Sequence, residues 1–410
     1  MDTKRKIIND PVFGFINIPN EFIYKVINHP YLQRLSRIKQ LGLASFVYPG
    51  AEHTRFHHSL GAMHLMSEAI NQLRLNGHEI TSEEKNAAMA AILMHDIGHG
   101  PFSHALEEML VTGMTHEHIS LMLMNRMNQE MNGQLDRAIA IFTNQYPKHF
   151  LHQLVSGQLD VDRLDYLRRD SFFTGVTEGN IGSARIIKML NLRKDKLVIE
   201  AKGIYSIENF LMARRLMYWQ VYLHKTAIAA EKMLANILNR VKLLLRQNIH
   251  VDMPEVLRYF LSQSIDRVCF ENDPEALDQY TKLDDHDVWS ALKSWSGHSD
   301  KVLSLLSRGL INRSLFKIEI ESESFDKELL QSKIKYFCER YELKEEEDAA
   351  YLISSDMVST NMYNEADDSI DILYKNGEVK DIADASDMLN IQLLSKKVKK
   401  YYFCFLRDSK

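Results

Sequence analysis

The sequence has little cysteine, and what it has is scattered. Cys269, Cys338 and Cys404 are three in number and far apart. They form no CxxC pair and no disulfide framework, which points to a reducing, cytoplasmic compartment. Proline is also sparse, with all eight at or before Pro274. No run approaches the ~20 apolar residues that a membrane span needs, so no membrane association is expected. The opening MDTKRKIIND has no apolar stretch behind its charges and does not read as a signal peptide. There is no surplus of positive charge. Fifty Lys and Arg against 55 Asp and Glu leave a net charge of −5, which excludes a globally basic nucleic-acid coat but not a local basic patch.

Histidine, by contrast, is concentrated. Of 17 histidines, ten lie between His53 and His118, where even spreading would put about three. Histidine is the commonest metal ligand and titrates near neutrality. Any one of the ten could be a satisfied core or surface residue; the cluster argues for chemistry.

At 410 residues the chain is long enough for about two or three domains. The pattern predicts a mainly α fold over residues 1–310 and a smaller α+β lobe over 311–410. Leu32, Leu35, Ile38 and Leu41 suggest a helix stopped by Gly42. Phe46 to Gly50 reads as a short extended piece ending in a turn. Ala62, Leu65, Met66, Ala69, Ile70 and Leu73 give a helical stripe that ends at Asn76-Gly77. Thr81 and Glu84 form a capping box opening an Ala-rich helix to His95. Gly98, Gly100 and Pro101 break that helix, and another starts near Ser103. Ser206 to Gln247 is strongly helical and long enough to need a hidden break. Beyond 310, Leu315–Ile320 and Tyr401–Leu406 read as strands. Asn376-Gly377 signals a type I′ hairpin. Glu345 to Asp348 reads as a solvated acidic face.

His95-Asp96 alone is weak evidence, since chance gives about one His-Asp dipeptide and His286-Asp287 is a second. Its context is distinctive: small residues follow it in His95-Asp96-Ile97-Gly98-His99-Gly100-Pro101-Phe102-Ser103-His104 and let a ligand approach the backbone. Imidazole mixed with carboxylate suits a divalent ion with positions left for water and substrate. His58, in Arg55-Phe56-His57-His58, and Asp162, in Asp160-Val161-Asp162-Arg163-Leu164-Asp165-Tyr166, can complete the set. A dipole-favoured helix-start carboxylate is the plainer account of Asp162 taken alone. Asp162, Tyr166 and Asp170 are four apart and share a helix face spanning about 12 Å. Arg214, Tyr218 and Tyr222 repeat that spacing. Arg55, Arg163 and Arg214 suit phosphate, which guanidinium binds in bidentate fashion.

These motifs, together with Gln33-Arg34-Leu35, Ile38-Lys39-Gln40-Leu41-Gly42 and Thr115-His116-Glu117, occur in an order that resembles the HD-domain deoxynucleoside-triphosphate triphosphohydrolases, over about residues 10 to 320. The resemblance implies one divalent metal ion (Mn, Fe, Mg, Ni or Zn) held by His58, His95, Asp96 and Asp162. It implies His104 as general acid or nucleophile, with His99, His116 and Glu117 in the same pocket and Glu107 orienting a histidine. Arg55, Arg163, Tyr166 and Arg214 would hold the triphosphate. Gln40, Leu41, Asp170 and Tyr222 would read the sugar, with Tyr218 beside them. It also implies a dimer or tetramer, and a nucleotide effector is a further expectation.

The chain departs from the family at several places. Glu107 stands where an aspartate is frequent, and Arg163 replaces a lysine. Leu223 replaces a glutamine near the base. Asn28 and Ser36 replace the two residues that read guanine in the mammalian activator site, so that site does not carry over. The resulting expectation is a metal-dependent hydrolase that converts dNTPs to deoxynucleoside and inorganic triphosphate. Its rivals are an HD phosphohydrolase of nucleoside monophosphates or other phosphoesters, and a non-catalytic sensor of nucleotides or single-stranded nucleic acid.

Overall fold

The computed structural model describes residues 6–102, 106–360, 369–387 and 398–407. The chain opens with an antiparallel hairpin, β1 (Lys6–Asp10) and β2 (Gly14–Ile18), in which Ile8 faces Ile16. Two short helices follow, α1 (Glu21–Asn28) and α2 (Pro30–Arg34). Asn20 caps α1 by accepting the Ile23 N–H at 2.9 Å.

The helix expected to run on to Leu41 ends early. One 3₁₀ turn covers Leu35–Arg37, and Ile38 is already extended. Tertiary bonding overrides the local pattern here: the Lys39 N–H reaches the Asp285 carboxylate at 2.9 Å, and Lys39 forms a bridge with Thr54. Gly42, at φ +50°, opens a second 3₁₀ turn that takes in Phe46. Of the piece expected over residues 46–50 the extended part does not form, Val47 being αR, while the closing turn at Pro49-Gly50 is present.

The helical body is built on α3 (Arg55–Leu75), α4 (Ser82–Met94), α5 (Glu107–Leu110), α6 (His116–Glu130), α7 (Asp136–Phe142), α8 (His149–Val155), α9 (Val161–Thr174) and α10 (Ser183–Lys188). The capping box of α4 is present: Glu84 accepts the Thr81 N–H at 2.8 Å, and Thr81 accepts the Glu84 N–H at 3.1 Å. The helix start expected near Ser103 lies outside the described residues. Helices α3 and α9 pack closely at Gly61, where a Cβ would sit 1.9 Å from Asp165 Oδ1 and 2.1 Å from an Arg169 nitrogen.

A hairpin of β3 (Leu190–Arg193) and β4 (Lys196–Glu200) leads into α11 (Ile204–Met217). The break hidden in the long helical stretch is a single π turn over Tyr218–Tyr222, closed by the Leu223 N–H on the Tyr218 carbonyl at 2.7 Å. Helix α12 (Lys225–Arg246) restarts after His224, and five further helices complete the body: α13 (Glu255–Leu261), α14 (Arg267–Asn272), α15 (Pro274–Lys282), α16 (Asp285–Trp295) and α17 (Lys301–Ile311). Trp295, Phe210 and Phe260 are among the fully buried side chains that fill it.

The remainder holds β5 (Lys317–Glu321), α18 (Lys327–Arg340), α19 (Glu346–Ala350) and β6 (Ile353–Thr360). After these come β7 (Asp371–Leu373), β8 (Val379–Asp381), α20 (Ile382–Ala385) and β9 (Val398–Phe405). The order β5-β9-β6 makes an antiparallel sheet. β7 and β8 instead extend the β3–β4 sheet, with β7 parallel to β4. The expected hairpin at Asn376-Gly377 joins β7 to β8. Its turn is not type I′: the Gly377 N–H closes on the Tyr374 carbonyl at 2.9 Å, neither central residue, Lys375 or Asn376, has positive φ, and Gly377 follows at φ +84°. Asp348 leaves the predicted acidic face to pair with the buried Arg240 at 2.5 Å. The architecture is mainly α, with a smaller α+β lobe.

Candidate metal centre and substrate pocket

Four elements converge. Helix α3 supplies Arg55 and His58, the C-cap of α4 supplies His95 and Asp96, α6 opens with His116, and the first turn of α9 carries Asp162. His58 Nε2 lies 3.0 Å from Asp162 Oδ1 and 3.4 Å from His95 Nε2. His95 Nε2 lies 3.5 Å from the same Asp162 oxygen and 3.2 Å from Asp96 Oδ1. The opposite ring nitrogens are occupied: His95 Nδ1–H donates to the Ile92 carbonyl at 2.6 Å, and His58 Nδ1–H donates to Asp165 at 2.7 Å. Both Nε2 atoms therefore face one point.

Burial alone would lower the pKa of His58. Hydrogen bonds to Asp162 and Asp165 outweigh it and push the value up to about 10. A proton held on Nε2 is what an arriving cation displaces. For Asp96, burial works against ionisation, but His95, His99 and Arg55 hold the carboxyl well below the usual range. Arg55 donates to Asp96 Oδ2 at 2.6 Å.

A second group adjoins the first through Asp96. His99 Nε2 is 3.4 Å from Asp96 Oδ1, and His116 stacks on His99 with centroids 3.8 Å apart. Burial and then Arg55 drive the His99 pKa far down, so His99 is a neutral imidazole. Glu107 accepts from both the backbone N–H and Nδ1 of His116, the latter at 3.1 Å. His104 lies outside the described residues. Glu117 is exposed in the first turn of α6, and no hydrogen bond among the described residues joins it to this group.

Along α9 the polar column continues. Arg163 donates to the Gly157 carbonyl at 2.8 Å and pairs with Asp160 at 3.2 Å. Arg214 is buried and donates to Gln158 at 3.2 Å. Tyr166 and Tyr218 each meet Tyr222 edge-on, at 6.0 and 5.3 Å. Tyr222 donates to Asp170 Oδ2 at 2.9 Å, and His53 Nε2 contacts Asp170 Oδ1 at 2.7 Å. Burial first, then Asp170, keeps the Tyr222 hydroxyl protonated well beyond its ordinary range. The Gln40 backbone N–H bonds the His53 carbonyl at 3.0 Å, while Gln40 Oε1 is buried with no hydrogen-bond partner among the described residues. Leu41 is half-buried just before Gly42. His53 and Asp165 were not singled out as site residues from the sequence. The histidine cluster pointed to the first, and Asp165 stands one helical turn from Asp162.

Comparison with known proteins agrees with this geometry. The HD domain family matches residues 55–170, and the HD-associated region matches residues 181–259. An uncharacterized Bacillus subtilis protein, YwfO, is 33% identical over 322 residues, covering 77% of this chain and 72% of that one. The chain belongs to the HD-domain phosphohydrolase family. A crystal structure of a phosphohydrolase from Bacteroides thetaiotaomicron VPI-5482 is 61% identical with a TM-score of 0.96, covering 98% of this chain and all of that one. The deoxynucleoside triphosphate triphosphohydrolase SAMHD1 of Homo sapiens is 26% identical over 362 residues. These cover 78% of this chain and 55% of the human protein.

HD domains are metal-dependent, and this HD-domain chain passes a simple test of fit. Ligand bonds of about 2.1 Å at right angles separate neighbouring donor atoms by about 3 Å, and tetrahedral angles by about 3.4 Å. The donor separations of 3.0, 3.4 and 3.5 Å among His58, His95 and Asp162 fall in that range. Two imidazole nitrogens with carboxylate oxygens suit a divalent ion. No helix among the described residues is long and apolar enough to cross a membrane.

Proposed function

We propose that this chain hydrolyses dNTPs to deoxynucleoside and inorganic triphosphate. The observation that carries the reading is the α9 column. Asp162 stands at the metal group, Tyr166 midway, and Asp170 at the far end under the Tyr222 hydroxyl. That column spans about 12 Å, the reach from a bound phosphate to its sugar. Deoxynucleoside triphosphate triphosphohydrolases among the relatives support the same assignment.

His58, His95, Asp96 and Asp162 would hold one divalent ion. When bound, such an ion neutralises phosphate charge and lowers the pKa of a coordinated water. The chain's own residues do the rest. Arg55 fixes Asp96, and Arg163 and Arg214 line the path of the phosphates. Neutral His99 offers a proton acceptor beside the phosphate, while Glu107 holds the orientation of His116. His104 would stand nearest the leaving 5′ oxygen. Tyr222, positioned by Asp170, packs under C2′ and excludes a ribose hydroxyl. Dimer or tetramer formation and a nucleotide effector belong to this reading as expectations.

A second reading is favoured by one observation. Arg55 and Arg163 are already paired with Asp96 and Asp160. Less positive charge is thus available to phosphates than the count of arginines suggests, which suits a nucleoside monophosphate or another phosphoester. Separating products by ion exchange after incubation with each dNTP and NTP, with Mn or Mg, distinguishes the two. Triphosphate from dNTPs alone supports the first reading; free phosphate or monophosphate moves the assignment to the second.

A further inference from the structure

The two nitrogens of His58 face different partners. Nε2 points to Asp162 and His95, and Nδ1 lies 2.7 Å from Asp165 Oδ2. Asp165 is fully buried and forks with Arg169, through Nε on Oδ2 and an amino nitrogen on Oδ1, both at 2.9 Å. The remaining Arg169 amino nitrogen reaches Asp10 Oδ2 at 2.7 Å. Asp10 is the last residue of β1, and its other oxygen accepts the Val12 and Phe13 N–H groups, each at 2.9 Å. The same carboxylate therefore closes the turn of the hairpin. Arg168 and Arg169 lie over the Phe13 ring at 4.7 and 5.6 Å. From Asp10 to His58 no side chain in this series is more than 3% exposed.

A buried ion pair is weak evidence for stability, because well-packed apolar residues serve a core as well or better. This one does something apolar residues cannot. It presents a fixed carboxylate to His58 Nδ1–H, which sets the ring's tautomer and direction, and carboxylates of this kind tune metal-binding imidazoles. Asp165 can do so only while Arg169 holds it, and Arg169 is held in turn from the hairpin.

We propose that the N-terminal hairpin is part of the metal centre: Asp10, through Arg169 and Asp165, is a positioning residue for His58 and raises the chain's affinity for a divalent ion. The inference rests on the metal assignment to His58, His95, Asp96 and Asp162, and not on which phosphoester is hydrolysed.

The test is titration of the metal-free full chain with Mn²⁺ alone, by calorimetry, for wild type, Asp10→Asn, Asp165→Asn and Ile16→Ala. Asp10→Asn keeps the turn's acceptor and removes the negative charge that faces Arg169. Ile16 is fully buried on the other strand of the hairpin, so Ile16→Ala loosens the hairpin without touching the relay. Asp165→Asn is expected to weaken Mn²⁺ binding roughly 10–100-fold, and Asp10→Asn roughly 10-fold, as for other partners behind metal ligands. Ile16→Ala is expected to lower the metal-free Tm while leaving the Mn²⁺ Kd within about twofold of wild type. The proposal is overturned if Asp10→Asn binds Mn²⁺ like wild type, or if Ile16→Ala weakens binding as much as Asp10→Asn does. The Asp10→Asn and Ile16→Ala comparison decides the matter even where Asp165→Asn fails to fold. A wild-type chain that binds no Mn²⁺ or other divalent ion overturns the metal assignment itself.

Discussion

His99 and His116 lie ring on ring, 3.8 Å between centroids and 15° from parallel. Two stacked imidazoles repel when both are charged, and burial with Arg55 keeps His99 neutral. Glu107, behind His116, therefore controls how that ring presents its other nitrogen. Glu107→Ala is predicted to lower kcat roughly 10–100-fold, with Glu107→Asp retaining most of it. Steady-state kinetics on the two variants at matched metal loading checks this; an unchanged kcat in Glu107→Ala would remove Glu107 from the mechanism.

Asp162 is shared by His58 and His95 through one oxygen. Asp162→Ala is expected to abolish turnover and metal uptake while leaving the helical circular dichroism spectrum unchanged. Metal content by elemental analysis reads the loss of metal separately from the loss of turnover. Retained turnover would sink the ligand assignment.

Tyr222 and His53 occupy the two oxygens of Asp170. Removing the Tyr222 ring opens the space where a ribose hydroxyl would sit. Tyr222→Ala is predicted to raise the ratio of NTP to dNTP turnover about tenfold, equivalent to about 1.4 kcal/mol of lost discrimination. Competition assays with paired dNTP and NTP measure that ratio directly, and an unchanged ratio would remove Tyr222 from sugar selection.

Glu231, on α12, has no hydrogen bond or ion pair among the described residues, and burial pushes its carboxyl up to about 7, with Lys232 opposing. Its folded pKa thus lies above the unfolded value of 4.5. The stability linked to that proton is fully present below about pH 4.5 and is lost as pH rises through about 7. Glu231→Gln is therefore predicted to match wild type near pH 4.5 and to gain on the order of 1–2 kcal/mol at pH 8. Urea denaturation at several pH values tests the sign; a constant difference would refute it.

Gly61 is required by close packing. A Cβ there would lie 1.9 Å from Asp165 Oδ1, inside a fully buried ion pair. Gly61→Ala should cost more than about 3 kcal/mol or prevent soluble expression, since neither partner has room to retreat. A Tm within a few degrees of wild type would contradict the packing described.

Much of this was legible in the sequence because it is local. The α4 capping box, the α3 stripe ending at Asn76 and the polar column of α9 follow from spacing alone. His58, His95, Asp96 and Asp162 stood out by residue type and context. What periodicity could not supply was long-range pairing. Ile38 is extended because Asp285, far along the chain, takes the Lys39 N–H. β7 returns to pair with β4, a register that no local pattern encodes. The Asp10–Arg169 contact joins residues 159 apart. The π turn at Tyr218–Tyr222 was legible only as a helix too long to be unbroken.

The most direct test of the proposed reaction is hydrolysis of a dNTP in ¹⁸O-enriched water, followed by ³¹P NMR. Attack of water on the α-phosphorus with loss of the 5′ oxygen predicts one product phosphate species, inorganic triphosphate, with a single ¹⁸O on a terminal phosphorus. Label in pyrophosphate, in free phosphate or in a nucleoside monophosphate would contradict it, because each requires cleavage elsewhere along the chain of phosphates.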